Sequence, residues 1–105
     1  MRSISGGYIT YAEHNNSIAL GCGTITGRSE QMVLGNANAI DTDAYLVIGN
    51  GEIAWQYDED GKMIAKSRKN TFVVKTNGNV EMGTSLKINN TTITEDQLKK
   101  LLALI

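Results

Sequence analysis

Apolar residues recur at a fixed interval of fourteen in the first half of the chain. Ile18-Ala19-Leu20-Gly21 returns as Met32-Val33-Leu34-Gly35, and again as Leu46-Val47-Ile48-Gly49. Each copy has an apolar residue, a small apolar one, another apolar one and a glycine. Constant spacing is the sequence signature of a repeat architecture, in which each unit forms one coil of a solenoid. The pattern therefore predicts about three stacked coils, preceded by a degenerate first coil over residues 1–15.

Alternation within each copy divides its apolar residues between two faces, as in a β-strand. In the first copy Ile18 and Leu20 share one face, and Ala19 lies on the other. We expect the large residues to fill a narrow core. A second short strand should face them across that core about half a coil later, at the register positions Ile25, Ala39 and Ile53.

The small residues of the three copies would then form an outer stripe, namely Ala19, Val33 and Val47. A continuous apolar stripe on the outside of a thin solenoid predicts a partner surface. Single outer apolar residues are common and need no partner. The interface interpretation rests on the repetition of the stripe in all three coils.

The first copy with its two preceding residues, Asn16-Ser17-Ile18-Ala19-Leu20-Gly21, resembles the Asn-Ser-Val-Ala-Ile-Gly repeat of YadA-like trimeric adhesin heads. The later copies carry Glu30-Gln31 and Ala44-Tyr45 in place of Asn-Ser, so they match only in the apolar-glycine core. The likeness covers roughly residues 4–54. It implies fourteen-residue coils in a left-handed parallel β-roll, with three chains side by side.

After Gly51 the period is lost, and the pattern becomes one of hairpins. The stretches from Glu52 to Tyr57 and from Lys62 to Lys66 predict two strands, joined by an Asp-Gly turn. A meander of three short strands is predicted next. It begins with alternation from Thr71 to Lys75, followed by the turn signal Asn77-Gly78. The later apolar positions of this meander are Val80, Met82, Leu86, Ile88 and Ile93.

The stretch from Arg68 to Val80 is similar to a segment frequent in phage tail fibres, whose usual form is Arg-Ser-Asn-Ala-Phe-x-Val followed by Gly-Asn-Val. In those fibres it commonly follows a YadA-like roll that ends in Ile-Gly-Asn-Gly, which is Ile48-Gly49-Asn50-Gly51 here. The hairpin between the two motifs looks like an addition to the pattern. The resemblance implies a trimeric fibre of the virion.

The last twelve residues predict an amphipathic helix. Thr94 with Gln97 three residues later forms a capping box, and one stripe of the helix is apolar. The stripe consists of Leu98, Leu101, Leu102 and Ile105. A helix of about three turns is too short to be stable alone in water. We expect it to clamp a trimer; the alternative is packing on the chain's own sheet.

Composition and charge argue against several classes of function, catalysis among them. The net charge of −1 gives no field that would attract nucleic acid, and no apolar run is long enough to span a bilayer. One Cys and one His exclude an internal disulfide and the usual multi-ligand zinc sites. The Asp58-Glu59-Asp60-Gly61 turn lacks the later ligands of a calcium loop. We therefore expect no enzyme activity, no catalytic or metal site and no cofactor.

Three aromatic residues, Trp55, Tyr57 and Tyr45, form a candidate platform for a glycan. A lone Trp on a hairpin more often packs against the protein or a neighbouring chain. The expected organisation is β-roll repeats over residues 1–54, a hairpin and meander over 55–93, and the helix over 94–105. The function expected is a structural and adhesive segment of a homotrimeric phage or phage-like tail fibre, with a bacterial cell-surface glycan or another receptor as its candidate partner. Alternatives are the head of a bacterial trimeric autotransporter adhesin, at the bacterial cell surface, and a small carbohydrate-binding module.

Overall fold

The computed structural model describes residues 2–61 and 63–105. The chain is mainly β, a solenoid of about three turns followed by a short C-terminal helix, which confirms the predicted fold class. In chain order the elements are β1 (Ser3–Tyr8), β2 (Ser17–Cys22), β3 (Met32–Asn36), β4 (Ala44–Asn50), β5 (Glu52–Tyr57), β6 (Met63–Ser67), β7 (Asn70–Lys75), β8 (Val80–Met82), β9 (Ser85–Ile88), β10 (Thr91–Thr94) and α1 (Glu95–Leu102).

One six-stranded sheet forms the body of the molecule, in the order β1-β2-β3-β4-β7-β8. The first four strands are parallel, and each is displaced from the next by fourteen residues, beginning with Ser3 opposite Ser17. Residues 3–8 therefore belong to a first coil in register with the others. Strand β7 then pairs antiparallel with β4, and β8 pairs antiparallel with β7. The parallel stack thus continues into an antiparallel pair without a break.

The interior of the coils contains the small apolar residues, not the large ones. Ala19, Val33 and Val47 are each 0% exposed within the single chain, while Leu20 and Met32 are exposed. The expectation that the small residues form an outer stripe is therefore wrong, and so is their assignment as a trimer interface. The reason is the width of the coil, because the opposite wall lies too close for a second layer of Leu or Ile. A Cβ added to Gly49 would lie 2.6 Å from the Cα of Asn38 on that wall.

The interior of the coils also contains polar side chains. Five of them are almost completely buried: Ser17, Thr24, Thr26, Gln31 and Asn38. Gln31 accepts a hydrogen bond from the N–H of Gly27 at 2.8 Å, and its amide donates to the carbonyls of Asp41 and Ala44 at 2.7 and 2.9 Å. Such bonds offset the cost of burying amides. Polar ladders inside the coil thus replace part of an apolar core.

The second strand expected in each coil is reduced to a single bridge. Tyr11 pairs with Ile25, whereas Ala39 lies outside every described strand and Ile53 pairs with Ala65 of β6. Between the second and third coils a side chain replaces the backbone partner. Asn38 accepts from the N–H of Ile25 at 2.8 Å and donates to its carbonyl at 2.9 Å. The prediction of a second short strand in every coil is therefore wrong, since the described residues show only the Tyr11–Ile25 bridge in its place.

The hairpin of β5 and β6 is an excursion from one coil. The chain leaves after Asn50 and returns at Lys69, and the N–H of Asn50 donates to the carbonyl of Lys69 at 3.0 Å. This agrees with the prediction of a hairpin added to the repeat, although Lys62, expected to begin its second strand, lies outside the described residues. The domain boundary expected after residue 54 falls inside β5, and β7 and β8 belong to the same sheet as the coils.

The repeated glycine at the end of each strand is required by backbone conformation and by space. Gly7, Gly21 and Gly35 have φ of +114°, +123° and +100°, a region that L-residues with a Cβ rarely adopt. A Cβ on any of them would lie 2.0–2.4 Å from the carbonyl oxygen of the next glycine in the column. The glycines therefore allow neighbouring coils to approach closely.

The C-terminal part consists of the antiparallel hairpin β9-β10 and the helix α1. The predicted capping box is present: the N–H of Gln97 donates to Thr94 Oγ1, and Gln97 Oε1 accepts from the N–H of Thr94. The helix ends at Leu102, earlier than expected. The N–H of Ile105 then donates to the carbonyl of Leu102, so Ile105 lies in a tight turn beyond the helix and not on its stripe.

Candidate functional site

The outward face of the six-stranded sheet carries two unbroken rows of apolar side chains. Strand alternation places them on the side opposite Ala19, Val33 and Val47, and the pairing register aligns them across the strands. The first row is Ile4, Ile18, Met32, Leu46, Val74 and Val80. The second row is Leu20, Leu34, Ile48, Phe72 and Met82. At a strand spacing of about 4.8 Å the first row is roughly 24 Å long and the second roughly 19 Å. We call these eleven residues the outer apolar face.

Much of this face is open to solvent in the single chain. Ile4, Val80 and Met82 are at least half exposed and Met32 is 39% exposed, while the central members are half-buried by their neighbours in the rows. Contiguous exposed apolar patches of this kind are typical of interaction surfaces. The fourteen-residue pattern does encode an apolar surface, but it is formed by the large residues. Sequence reasoning missed it because it placed those residues inside.

The C-terminal part is almost entirely exposed. From residue 77 to residue 105 every residue is exposed except Ile93, which is half-buried. Leu98, Leu101 and Leu102 lie on α1 with 47%, 54% and 60% of their surface exposed, and no residue of the helix is buried. The four residues assigned to the trimer clamp, Ile105 included, thus keep about half or more of their surface exposed in the single chain.

A groove of about 410 Å³ separates the edge of the main sheet from α1. Val80 and Met82 line one side, and Leu86, Ile93 and Leu98 line the other. Val80 and Met82 also end the two rows of the outer apolar face. The groove and that face therefore form one continuous apolar surface, which extends from the first coil to the C-terminal helix.

A separate aromatic cluster joins the hairpin to the first coil. The rings of Tyr8 and Trp55 lie 5.8 Å apart between centroids at an angle of 34°, and the hydroxyls of Tyr8 and Tyr57 are hydrogen-bonded at 3.1 Å. All three side chains are exposed. The structure thus brings two of the predicted platform residues together and adds Tyr8, which is separated from Trp55 by 47 positions and carried no sequence signal for this contact.

The third predicted platform residue has a different neighbour. Tyr45 lies on β4 beneath the guanidinium of Arg28, whose Cζ is 5.3 Å from the ring centroid. This is the geometry of a cation–π contact. Tyr45 is therefore not part of the aromatic cluster, which consists of Tyr8, Trp55 and Tyr57.

The hydrogen bond with Tyr57, and to a smaller extent the charge interaction with Tyr57, raise the pKa of Tyr8 above its ordinary value of 10.0. Both effects favour the neutral phenol of Tyr8, whose hydroxyl therefore stays uncharged near neutral pH.

The few residues with catalytic or ligating chemistry are not assembled into a site. His14 lies against Thr26, with Nδ1 2.9 Å from Oγ1, and Cys22 is a half-buried free thiol. Within the part of the chain that the structure describes, no group of three or more His, Cys, Asp and Glu side chains is placed to hold a metal ion. The helix α1 is too short to cross a membrane, and no other helix of the described residues does so.

The fold, the outer apolar face and the aromatic cluster are all features of the single chain. In comparisons with known proteins, no family model, no curated protein and no solved structure matches it.

Proposed function

We propose that this chain is a structural segment of a homotrimeric fibre of the tail-fibre type, in which the outer apolar face and the C-terminal helix are the contacts between chains. The observation that carries the proposal is the outer apolar face itself. Eleven apolar side chains on one surface, aligned in two rows, are not explained by the fold of a single chain, whose narrow interior is filled mainly by small apolar and polar residues.

The occupant of this face is a second copy of the chain. The two rows, the groove and the stripe of α1 form one surface from end to end, so a parallel neighbour of equal length covers all of it. An interface of ordinary size takes about 800 Å² from each partner, and this requires a long apolar surface of this kind. A stack of about three coils is also at the lower limit of length for independent stability.

Three is the number of copies that the resemblance to YadA-like heads and phage fibres implies. Cyclic packing about one axis gives every chain the same two neighbours. The helices α1 would then meet at the axis, where Leu98, Leu101 and Leu102 lose their exposure to water. A segment of 29 residues with a single half-buried side chain has little to stabilise it alone, which also favours association.

The experiment compares two variants with the same kind of change. Met32→Glu places a carboxylate in the middle of the outer apolar face, whereas Ile40→Glu places one on an apolar residue that is even more exposed, 56% against 39%, but lies outside the rows. We expect Met32→Glu to sediment as a monomer and Ile40→Glu to keep the mass of the unmodified chain. Equal masses for the two variants and the unmodified chain, with circular dichroism confirming that each is folded, would refute the assignment of this face.

A further inference from the structure

We propose that Tyr8, Trp55 and Tyr57 form a binding site for a neutral pyranose sugar. The inference goes beyond the structural role proposed above and rests on the proposed fibre, since several weak sugar sites become an effective attachment only when copies of the chain are joined. The site itself is built within one chain.

The backbone at Trp55 is shaped to present its side chain. Strand β5 has two extra residues relative to β6, because Ile53 pairs with Ala65 and the next pair is Gln56 with Ile64. Trp55 lies in this bulge with φ of +58°, a left-handed conformation that is unfavourable for a large aromatic residue. Bulges redirect side chains and are frequent at functional sites, and strained non-glycine residues often lie there too.

The anchoring of the hairpin does not require the aromatic cluster. Ile53, two residues before Trp55, is the buried contact between the hairpin and the coils, where it packs against Ala37. Trp55 itself remains 67% exposed after its contact with Tyr8. A tryptophan that served only to dock the hairpin would be mostly covered. Its large indole face is therefore open to a ligand.

The chemistry of the cluster matches one face of a pyranose ring. The π-face of an aromatic ring is electron-rich, and the axial C–H groups of a pyranose form a flat, slightly positive surface that stacks on it. Tyr8 and Tyr57 carry two hydroxyl protons, and their mutual hydrogen bond uses one of them. The other proton and the oxygen lone pairs remain for sugar hydroxyls at the edge of the ring. A few placed polar groups beside an apolar surface are typical of a ligand site.

Charge restricts the sugar to a neutral one. The hairpin contains Glu52, Asp58, Glu59 and Asp60 against Lys62 and Lys66, a net charge of 2 − 4 = −2, and Lys66 is paired with Glu52 at 3.5 Å. The carboxylates of the turn, Asp58, Glu59 and Asp60, directly follow Tyr57 in the sequence. They repel uronic and sialic acids, an effect that falls with rising salt because the groups are exposed.

The experiment uses the fluorescence of Trp55, the single tryptophan of the chain, as a direct reporter. The full chain is titrated with neutral mono- and oligosaccharides of glucose, galactose, mannose and N-acetylglucosamine, and with lactose against sialyllactose. We expect a saturable change in emission with at least one neutral sugar, and weaker binding of sialyllactose than of lactose at low salt. A flat titration with every neutral sugar would overturn the proposal.

Two variants and a control test whether the sugar contacts the aromatic cluster. Sugar binding is followed by saturation-transfer NMR. Trp55→Ala should weaken binding about tenfold, and Tyr57→Phe, which keeps the ring, roughly threefold to tenfold. Tyr45→Ala, which removes an exposed aromatic side chain outside the cluster, should leave binding unchanged. If Tyr45→Ala weakens binding as much as Trp55→Ala does, the site is elsewhere and the proposal fails.

The mass of each variant separates this inference from the proposed fibre. A chain that binds sugar as a monomer keeps the site and refutes the trimer. If Trp55→Ala instead dissociates an assembly that binds no sugar, the cluster is an interface between chains, and the sugar site is refuted while the fibre stands.

Discussion

Asn70 holds the backbone of Ala39 with both ends of its side-chain amide. Its Oδ1 accepts from the N–H of Ala39 at 2.8 Å, and its Nδ2 donates to the carbonyl of Ala39 at 3.0 Å. Asn38 makes the same pair of bonds to Ile25 one coil earlier. Asn70 therefore closes the stack of coils, because its amide takes the place of a strand that does not follow.

Loss of the donor at this position should destabilise the solenoid. Asn70→Asp keeps the size of the side chain but places a carboxylate oxygen opposite the carbonyl of Ala39. We expect the free energy of unfolding to fall by about 1–3 kcal/mol, measured by urea denaturation. Asn79→Asp makes the same change at an exposed turn residue and should have little effect. A fall of equal size in both variants would contradict the capping role of Asn70.

Two buried threonines should respond in opposite directions to the same substitution. Thr24 and Thr26 are 0% and 1% exposed, but the hydroxyl of Thr24 has no hydrogen-bond partner within the described residues, whereas Thr26 Oγ1 accepts from the N–H of Glu13 and contacts His14. Thr24→Val should raise the free energy of unfolding by about 1 kcal/mol, and Thr26→Val should lower it by about 1–2 kcal/mol. Destabilisation by Thr24→Val would mean that its hydroxyl is hydrogen-bonded after all.

A side chain at an aligned glycine of the coils should lower the stability of the fold. Gly35→Ala places a Cβ 2.4 Å from the carbonyl oxygen of Gly49, so the coils must separate. We expect a loss of roughly 2–4 kcal/mol in thermal or urea unfolding. Gly78→Ala is the matched control, since Gly78 also has a positive φ but an added Cβ meets nothing within 4 Å. It should cost about 1–2 kcal/mol, from backbone strain alone. Equal losses would show that coil spacing does not depend on Gly35.

Acid should weaken the contact between β7 and the turn before β4. Lys75 Nζ lies 2.6 Å from Asp41 Oδ2, with both side chains largely covered. Burial raises the pKa of Asp41, but the hydrogen bonds from Lys75 and from the N–H of Asp43 outweigh this, so the pKa lies below its ordinary value of 3.8. A carboxyl with a lowered pKa stabilises the fold above its unfolded pKa, and this contribution is lost as the pH falls through the folded pKa.

We therefore expect the difference in melting temperature between the unmodified chain and Asp41→Asn to be largest at neutral pH and to shrink below about pH 4. Thermal unfolding followed by circular dichroism over that range measures it. Asp60→Asn changes an exposed carboxylate and serves as the control. A difference between the unmodified chain and Asp41→Asn that persists undiminished in acid would exclude the ion pair as its cause.

The fourteen-residue period was enough to predict the solenoid, because each large apolar residue aligns with the one fourteen positions later. Alternation showed that Leu20 and Ala19 occupy opposite faces, but it could not tell which face is inside. That choice depends on the distance between the two walls of a coil, which is a property of the tertiary structure. The near approach of Asn38 to Gly49 decides it.

The sequence also contains the signal for the role of Asn70, but the inserted hairpin interrupts the fourteen-residue period that would reveal it. The separation of Asn38 and Asn70 is 70 − 38 = 32 = 14 + 18 residues, one coil plus an insertion of eighteen. A search that allowed one long insertion in the period could have found it. The contact between Tyr8 and Trp55 could not be predicted in this way, because it depends on a bulge in β5 that no local sequence pattern predicts.

Self-association is the step on which the proposed fibre depends, and the mass of the unmodified chain in solution tests it most directly. Size-exclusion chromatography with multi-angle light scattering over a range of dilutions measures that mass. The proposal predicts three times the chain mass of 11.4 kDa, with loss of helix and of strand signal on dissociation. A folded species of 11.4 kDa at every concentration would contradict it.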